Sequence, residues 1–152
     1  MKQRFDFTTV AAAGYKAMLG VPSYVQQSGL SLGLLELVKM RVSQMNGCAF
    51  CLAMHAPLAR KHGVTEDQLT LLPAWREAPV FSAQERAALA WAEAMTLLKD
   101  GDVPDAIYDQ VCAEFNTKEV ADLAFAVAEI NAWNRLMICS RTPPAVAAGN
   151  HS

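Results

Sequence analysis

The stretch ELVKMRVSQMNGCAFCLAMH, residues 36–55, contains two helix-forming patterns separated by an Asn-Gly pair. In and just before the first pattern, apolar side chains recur at helical spacing at Leu34, Leu35, Val38, Val42 and Met45. Asn46-Gly47 is a typical turn sequence, so we expect the first helix to end there and a second helix to begin at Cys48. His62-Gly63 is a typical helix end. The stretch therefore predicts two consecutive helices, at 32–45 and 48–61.

The rest of the chain is also predicted to be helical. TEDQ at 65–68 and SAQE at 82–85 both have the capping-box form that begins a helix. The further predicted helices cover residues 11–19, 65–73, 82–100, 104–113 and 117–139, and the first of them is expected to end at Gly20 and Pro22. No alternating strand pattern flanked by hairpin turns occurs. The sequence thus predicts an all-α fold with short connections.

Length and composition argue against several classes of protein. The chain has 152 residues, which suggests a single domain over 1–152, with 142–152 as a tail. The formal charge of −2 and the lack of a basic block argue against nucleic-acid binding. Charged residues interrupt every long apolar run, so no membrane span is expected. The hydrophobic fraction of 53% suggests that some apolar surface is buried between subunits.

The N-terminus and the cysteine content both indicate a protein of a reducing compartment. The N-terminal sequence MKQRFDFTTV has no apolar stretch followed by a cleavage site, so a cytoplasmic location is predicted. Four cysteines are too few for a disulfide scaffold in a chain of this length. Two of them, Cys112 and Cys139, have no reactive neighbours in the sequence and are predicted to be buried apolar fillers.

The other two cysteines and a histidine share one face of the second predicted helix. Cys48, Cys51 and His55 fall within an arc of roughly 60° on a helical wheel. Cys48 would occupy the first turn, where free N–H groups and the helix dipole lower the pKa of a thiol. His55, one turn after Cys51, could accept its proton. The arrangement suits thiol–disulfide exchange or peroxide reduction, in which a sulfenic acid condenses with the second thiol and a donor dithiol reopens the disulfide.

Glu36 is a candidate fourth member of this site. It lies in the preceding helix among leucines, and a buried carboxylate there must be paired or protonated. If the helix turns back at the Asn-Gly pair, Glu36 could face the cysteines and relay protons near neutral pH. A position at a solvated helix edge, or a salt bridge with Lys39 or Arg41, fits the spacing equally well.

Other uses of the Cys/His pattern remain open on the sequence alone. Structural zinc needs four ligands and the pattern supplies three; catalytic zinc with three protein ligands is a less favoured alternative. A thioredoxin-like motif needs a βαβ context that the sequence lacks. A protein thiol–disulfide oxidoreductase, a redox sensor, or an oligomeric module that binds a metal or small ligand would also use such residues. For Asn131, Asn134 and Arg135, a structural or subunit-contact role is favoured over catalysis.

The stretch 36–55 resembles the core motif of the AhpD-like alkylhydroperoxidases, in the carboxymuconolactone decarboxylase superfamily. In that motif eleven residues separate a Glu from C-x-x-C-x-x-x-H, and Glu36, Cys48, Cys51 and His55 have this spacing. FSAQERAALAWAEAMT and EINAWNRLMI also look like recurring segments of one branch of the family. The resemblance covers a core of about residues 29–141. It departs at Phe50, where the best-studied pattern has a second histidine.

The resemblance implies an AhpD-like helical bundle subunit that forms a homotrimer or homohexamer. It implies a peroxidase that needs no cofactor and no metal, acts on hydroperoxides, and is reduced by a dithiol of a lipoyl-bearing or thioredoxin-like protein. In the family pattern Cys51 is the peroxidatic cysteine, Cys48 resolves, His55 assists Cys51 and Glu36 joins a proton relay. The helix-start argument alone would favour Cys48 as the more acidic thiol, so the two arguments disagree on which cysteine attacks.

Overall fold

The computed structural model describes residues 2–146, and helices account for all of the regular structure in that range. The α-helices are α1 (Phe7–Val10), α2 (Ala12–Met18), α3 (Gly20–Gln26), α4 (Leu32–Asn46), α5 (Ala49–Lys61), α6 (Glu66–Leu71), α7 (Ala83–Leu97), α8 (Asp105–Glu114) and α9 (Thr117–Ser140). Short 3₁₀ turns follow α6 and α7. The predicted all-α fold is confirmed, with the cysteine pair at the start of a helix.

The helices differ from the prediction at three places. The helix predicted over 11–19 ends before Gly20 as expected, at Met18, but a helix that was not predicted, α3, begins at Gly20 and holds Pro22 in its first turn, where a missing N–H costs no hydrogen bond. The helix predicted to run to residue 100 ends at Leu97, since Leu98 takes a left-handed conformation with φ 41°. Cys48 is the N-cap of α5 rather than its first residue. The predicted tail at 142–152 lies largely outside the described residues.

The helix α4 lies between two hydrophobic clusters and contributes to both. Leu35 and Val38 belong to the first cluster, which α4 forms with α5, α7, α8 and α9. Leu37 and Met40 belong to the second, which includes α7 and the segment around Trp75. A helix that is apolar on two sides must be buried. The charged residues Glu36 and Lys39 of α4 are therefore buried with it.

Two glycines bring α4 and α5 side by side. Gly47 joins the helices in the left-handed conformation, with φ 70°, which favours a residue without a Cβ. At the other end of the pair, a Cβ on Gly33 would lie 2.8 Å from the backbone oxygen of His62. The two helices therefore form a close antiparallel hairpin, in which Glu36 on α4 comes opposite His55 on α5.

Within residues 2–146, no helix has both the length and the apolar character that a membrane crossing requires.

Candidate active site

The two cysteine sulfurs lie next to each other at the start of α5. Cys48 Sγ and Cys51 Sγ are 2.7 Å apart, and both residues are free cysteines. Cys48 Sγ also accepts a hydrogen bond of 3.4 Å from the backbone N–H of Cys51, as a helix N-cap does. Both side chains are buried, at 1% and 0% exposure. The pair can close to a disulfide with a small movement, and a reagent reaches it only through a cavity.

Of the two thiols, Cys48 is the one that ionises more readily. The hydrogen bond from the Cys51 thiol, aided by backbone N–H groups at the helix start, lowers the pKa of Cys48 from 9.0 to about 7. That same hydrogen bond, together with burial, raises the pKa of Cys51 above its usual range. At neutral pH the resting dithiol therefore holds much of its negative charge on Cys48, as the helix-start argument predicts.

Glu36 and His55 form a buried pair next to the cysteines. Glu36 Oε2 lies 2.7 Å from His55 Nδ1, and both side chains are less than a tenth exposed. The contact fixes the orientation of the imidazole and leaves Nε2 for another partner. Of the positions open to Glu36 on the sequence alone, the structure places it in the interior with His55 rather than at a solvated edge.

An apolar cavity of about 230 Å³ opens over Cys51. Its walls come from α2, α3, α5 and α9 and include Tyr15, Leu19, Met54, Leu58 and Trp133. Cys51, His55 and Glu36 line the same cavity, whereas Cys48 does not. One thiol of the pair thus faces a space large enough for a small organic molecule, beside an acid–base pair.

A second buried ion pair lines this cavity and escaped the sequence analysis. Lys39 Nζ lies 2.8 Å from Glu129 Oε1, and both residues are 4% exposed. Lys39 follows Glu36 by three residues and so lies on the same face of α4. The one available signal was a lysine and a glutamate within otherwise apolar helices. The sequence contains no indication that they meet, because they are ninety residues apart.

Polar side chains from α4 and α9 also reach the sulfurs. Asn134 is fully buried and donates to Ser43 Oγ at 3.0 Å. Its amide lies within hydrogen-bond reach of both sulfurs, and Ser43 within reach of Cys51. Asn46 donates to the side-chain oxygens of both Asn134 and Asn131 and ties the two helices together. The structural role favoured for Asn134 is therefore incomplete, since its amide also lies close to both cysteine sulfurs.

The remaining sequence predictions concern Cys112, Cys139, Arg135 and a possible metal site. Cys112 and Cys139 are exposed, so the prediction that they fill the core is wrong. Arg135 is exposed and donates to the Asn131 backbone and side-chain oxygens, within α9. Among residues 2–146, no group of three or more His, Cys, Asp or Glu has an arrangement that could hold a metal ion.

Known proteins share both the sequence and the fold. The uncharacterised protein YdfG of Bacillus subtilis is 41% identical over 138 residues, which are 91% of this chain and 94% of that protein. A crystal structure from Agrobacterium tumefaciens, of a protein of unknown function provisionally named an antioxidant defence protein AhpD, superimposes with a TM-score of 0.92 and 36% identity. That match covers 96% of this chain and 100% of the other.

A more distant structure shows the same fold. The alkylhydroperoxidase AhpD core of an uncharacterised peroxidase-related protein from Ralstonia eutropha superimposes with a TM-score of 0.77 at 18% identity, over 88% of this chain and 71% of that one. Residues 12–94, more than half of the chain and including all four motif residues, match the carboxymuconolactone decarboxylase family. The chain therefore belongs to the carboxymuconolactone decarboxylase family, as an AhpD-like member.

Proposed function

We propose that this protein is a thiol-dependent peroxidase that reduces organic hydroperoxides through the Cys48–Cys51 pair. The observation that carries the proposal is the placement of Cys51. Of the two thiols, it is the one that lines the cavity containing the Glu36–His55 pair. A peroxide in that cavity meets a sulfur and an acid–base group together, and the apolar walls suit the organic part of the molecule.

The reaction begins with transfer of the Cys51 proton. His55 accepts it, and the Cys51 thiolate attacks the terminal oxygen of the hydroperoxide. The O–O bond breaks, Cys51 becomes a sulfenic acid, and the alkoxide takes a proton to leave as an alcohol. Glu36 holds the imidazole and stabilises its protonated form, which makes His55 the proton donor to the alkoxide. Cys51 is the attacking residue despite its raised pKa, because it faces the substrate.

Cys48 then resolves the sulfenic acid. Its sulfur, 2.7 Å from that of Cys51, attacks the Cys51 sulfur and expels the hydroxyl group as water. Overall, one hydroperoxide and two thiols yield one alcohol, one water and one disulfide. A dithiol donor must return two electrons for each turnover, and of the two predicted kinds the burial of the pair favours the lipoyl-bearing one. Such a cycle suits the cytoplasm, where thiols are kept reduced.

Burial of the dithiol disfavours a protein substrate. With both sulfurs at 1% exposure or less, a disulfide on the surface of another folded protein cannot approach either sulfur in line. This separates a peroxidase from a general protein thiol–disulfide oxidoreductase, which needs an accessible cysteine.

The catalytic test is peroxide consumption by purified protein with a dithiol donor. We expect turnover with cumene hydroperoxide, and complete loss of it in Cys51→Ser. Cys48→Ser should retain a single oxidation that leaves a sulfenic acid on Cys51, detectable by dimedone labelling and mass spectrometry. If the wild type consumes no hydroperoxide, or if Cys48→Ser loses the first oxidation while Cys51→Ser keeps it, the proposal is wrong.

We further propose that the protein forms a homotrimer or homohexamer. Large apolar side chains lie exposed on the end of α7 and on α8 and α9, among them Leu97, Leu98, Tyr108 and Phe125. Exposure of this kind on a helical subunit is typical of a surface that another subunit covers. Sedimentation velocity would show a single species of three or six subunits, and a monomer at micromolar concentration would contradict the proposal.

A further inference from the structure

The two sulfurs open into different cavities. A second cavity, of about 320 Å³, lies at the start of α5, beneath the end of α9 and the segment 141–144. Cys48 lines this cavity and Cys51 does not, which is the reverse of the first cavity. Phe50 and Met137 line both, so these two side chains stand between the cavities. The dithiol thus lies between the two cavities, and a small molecule can approach Cys51 from the first cavity and Cys48 from the second.

We infer that the dithiol donor reaches Cys48 through this second cavity, at the end of a slender arm, and does not enter the cavity that takes the peroxide. The inference rests on the proposed function. It states by which cavity the reducing donor enters, and that Cys48 is the sulfur of the disulfide that the donor attacks first. It commits to a donor whose thiols sit on an unbranched chain. Cys48 is 1% exposed, so a thiol fixed on the surface of a folded protein could not reach it.

The reducing half-reaction follows from this geometry. A donor thiolate attacks Cys48 Sγ and forms a mixed disulfide, and the bond between Cys48 and Cys51 breaks. Cys51 leaves with the electron pair. Because its pKa is raised, its departure needs a proton, which His55, one turn away on α5, delivers in place of the proton that the donor thiol lost on ionising. The second donor thiolate then attacks the donor's own sulfur in the mixed disulfide. The donor departs as a cyclic disulfide and Cys48 leaves as a thiolate, so two electrons have passed to the protein.

Two features of the second cavity suit these steps. Cys48 is the leaving group when the donor departs, and its pKa of about 7 makes it a good one at neutral pH. Arg141 lines the cavity and is exposed, so its guanidinium provides a positive charge for an approaching thiolate. In the first cavity, the carboxylates of Glu36 and Glu129 outnumber the ammonium group of Lys39, so the same anion meets no net positive charge there.

Separate blocking of the two cavities tests the inference. Ile138 is 45% exposed and lines the second cavity; Met54 is 44% exposed and lines the first. The disulfide is formed with diamide, without peroxide, and its reduction by dihydrolipoamide is followed by stopped flow. We expect Ile138→Trp to slow this reduction at least tenfold, Ile138→Ala to leave it as fast as wild type, and Met54→Trp to leave it within twofold.

Labelling of single cysteines gives a second measurement. In a background without the exposed Cys112 and Cys139, a methanethiosulfonate reagent with a linear alkyl arm should modify Cys48 in Cys51→Ser, and Ile138→Trp should block this. In Cys48→Ser the reagent should modify Cys51, and Met54→Trp should block that instead. Circular dichroism verifies that each tryptophan variant is folded.

The inference is overturned if Ile138→Trp has no effect on reduction, if Met54→Trp slows it equally, or if a reduced thioredoxin-like protein matches dihydrolipoamide in rate. Because no step uses peroxide, the result is independent of peroxidase activity. A protein that shows the expected pattern but consumes no hydroperoxide would uphold the separate path and refute the proposed function.

Discussion

Two charged clusters of this protein share helix α4 and differ in what surrounds them. The open cluster consists of Glu36, Lys39, His55 and Glu129, and its members line the cavity over Cys51. The closed cluster consists of Arg41, Trp75, Arg76 and Glu93. In the closed cluster, Glu93 Oε1 accepts hydrogen bonds from Arg41 Nε at 2.7 Å and from Trp75 Nε1 at 2.8 Å. The other carboxylate oxygen, Glu93 Oε2, lies 2.6 Å from Arg76 Nη2.

The two clusters differ in how many of their carboxylate oxygens remain free to accept a hydrogen bond. Both oxygens of Glu93 are engaged by cationic or indole donors, so the closed cluster has little left to offer a substrate. In the open cluster, Glu129 Oε1 lies close to Lys39 Nζ, but no group in residues 2–146 gives it a well-aligned hydrogen bond. A buried carboxylate paired with a cation is therefore common to both clusters, and an adjoining cavity with a partly free polar atom distinguishes the open one.

The largest expected effect is a difference in peroxidase activity between variants of the two carboxylates, Glu36 and Glu93. Glu36→Gln keeps the shape of the side chain but cannot stabilise a protonated His55, so we expect peroxide turnover to fall about 1000-fold. The matched variant Glu93→Gln should retain activity within about threefold. Steady-state kinetics with cumene hydroperoxide measures both. Activity of Glu36→Gln within tenfold of wild type would remove the distinction between the clusters.

The second expected effect concerns the stability of the open cluster. Lys39→Met leaves the Glu129 carboxylate buried without its cation, which should cost about 3 kcal/mol of unfolding free energy. The double variant Lys39→Met/Glu129→Met should recover most of this loss, because two apolar side chains replace two buried charges. Urea denaturation of the three proteins measures the effect. Equal stability of the single and double variants would show that the two charges are not coupled.

The third expected effect is a shift in the pKa of Cys48. In a background without Cys112 and Cys139, the reduced protein should show a thiolate absorbance transition at 240 nm with a midpoint of about 7. Cys51→Ala removes the principal hydrogen-bond donor to Cys48 and should move the midpoint up toward 9.0. Cys51→Ser keeps a donor and should move it less. A midpoint that is the same in the alanine and serine variants would contradict the assigned cause.

The smallest expected effect is the pH-dependent stability of the closed cluster. Burial alone would raise the pKa of the Glu93 carboxyl, but its three donors hold it below the ordinary 4.5. A carboxyl whose pKa is lowered by folding stabilises the protein above its unfolded pKa, and this contribution disappears as pH falls through the folded value. Glu93→Gln should therefore cost about 2 kcal/mol at pH 7 and progressively less below pH 4.5. Thermal unfolding across pH 3–7 measures this, and a constant loss would be the opposite result.

The sequence was sufficient for most of the fold because the local signals agree with each other. The capping boxes at 65–68 and 82–85 both form, with the reciprocal hydrogen bonds that define them. The Asn-Gly pair ends α4 in the left-handed conformation, as such a pair predicts. The end of α2 before Gly20 was also predictable, but α3 was not, because Pro22 indicates a helix stop and yet is tolerated in the first turn of a new helix.

The candidate site was predictable only where its members are close in sequence. The cysteines and His55 share one helix, so helical geometry alone places them together. Glu36 could be placed only with the family pattern, since a helix edge fitted its spacing equally well. Two contacts of the site join α9 to other helices: Glu129 meets Lys39 of α4, and Asn134 meets the sulfurs at the start of α5. No local sequence rule specifies how these helices pack against each other.

The two exposed cysteines show the limit of treating cysteine as a core residue. Ile107, Val111 and Phe115 form the inward stripe of α8 at a spacing of four residues. Cys112 is one residue outside that stripe, and a rotation of about 100° turns it to the surface. Position on the helix therefore outweighs the average preference of the residue type.

The atom that caps α5 is also one of the two sulfurs of the Cys48–Cys51 pair. In the reduced protein, the ionised Cys48 sulfur holds the first turn of the helix through the Cys51 amide. A disulfide sulfur carries no charge and is a much poorer acceptor, so oxidation withdraws that support. Oxidation of the pair should consequently change the backbone itself: the amide hydrogens in the first turn of α5 should exchange faster in the disulfide form than in the reduced form.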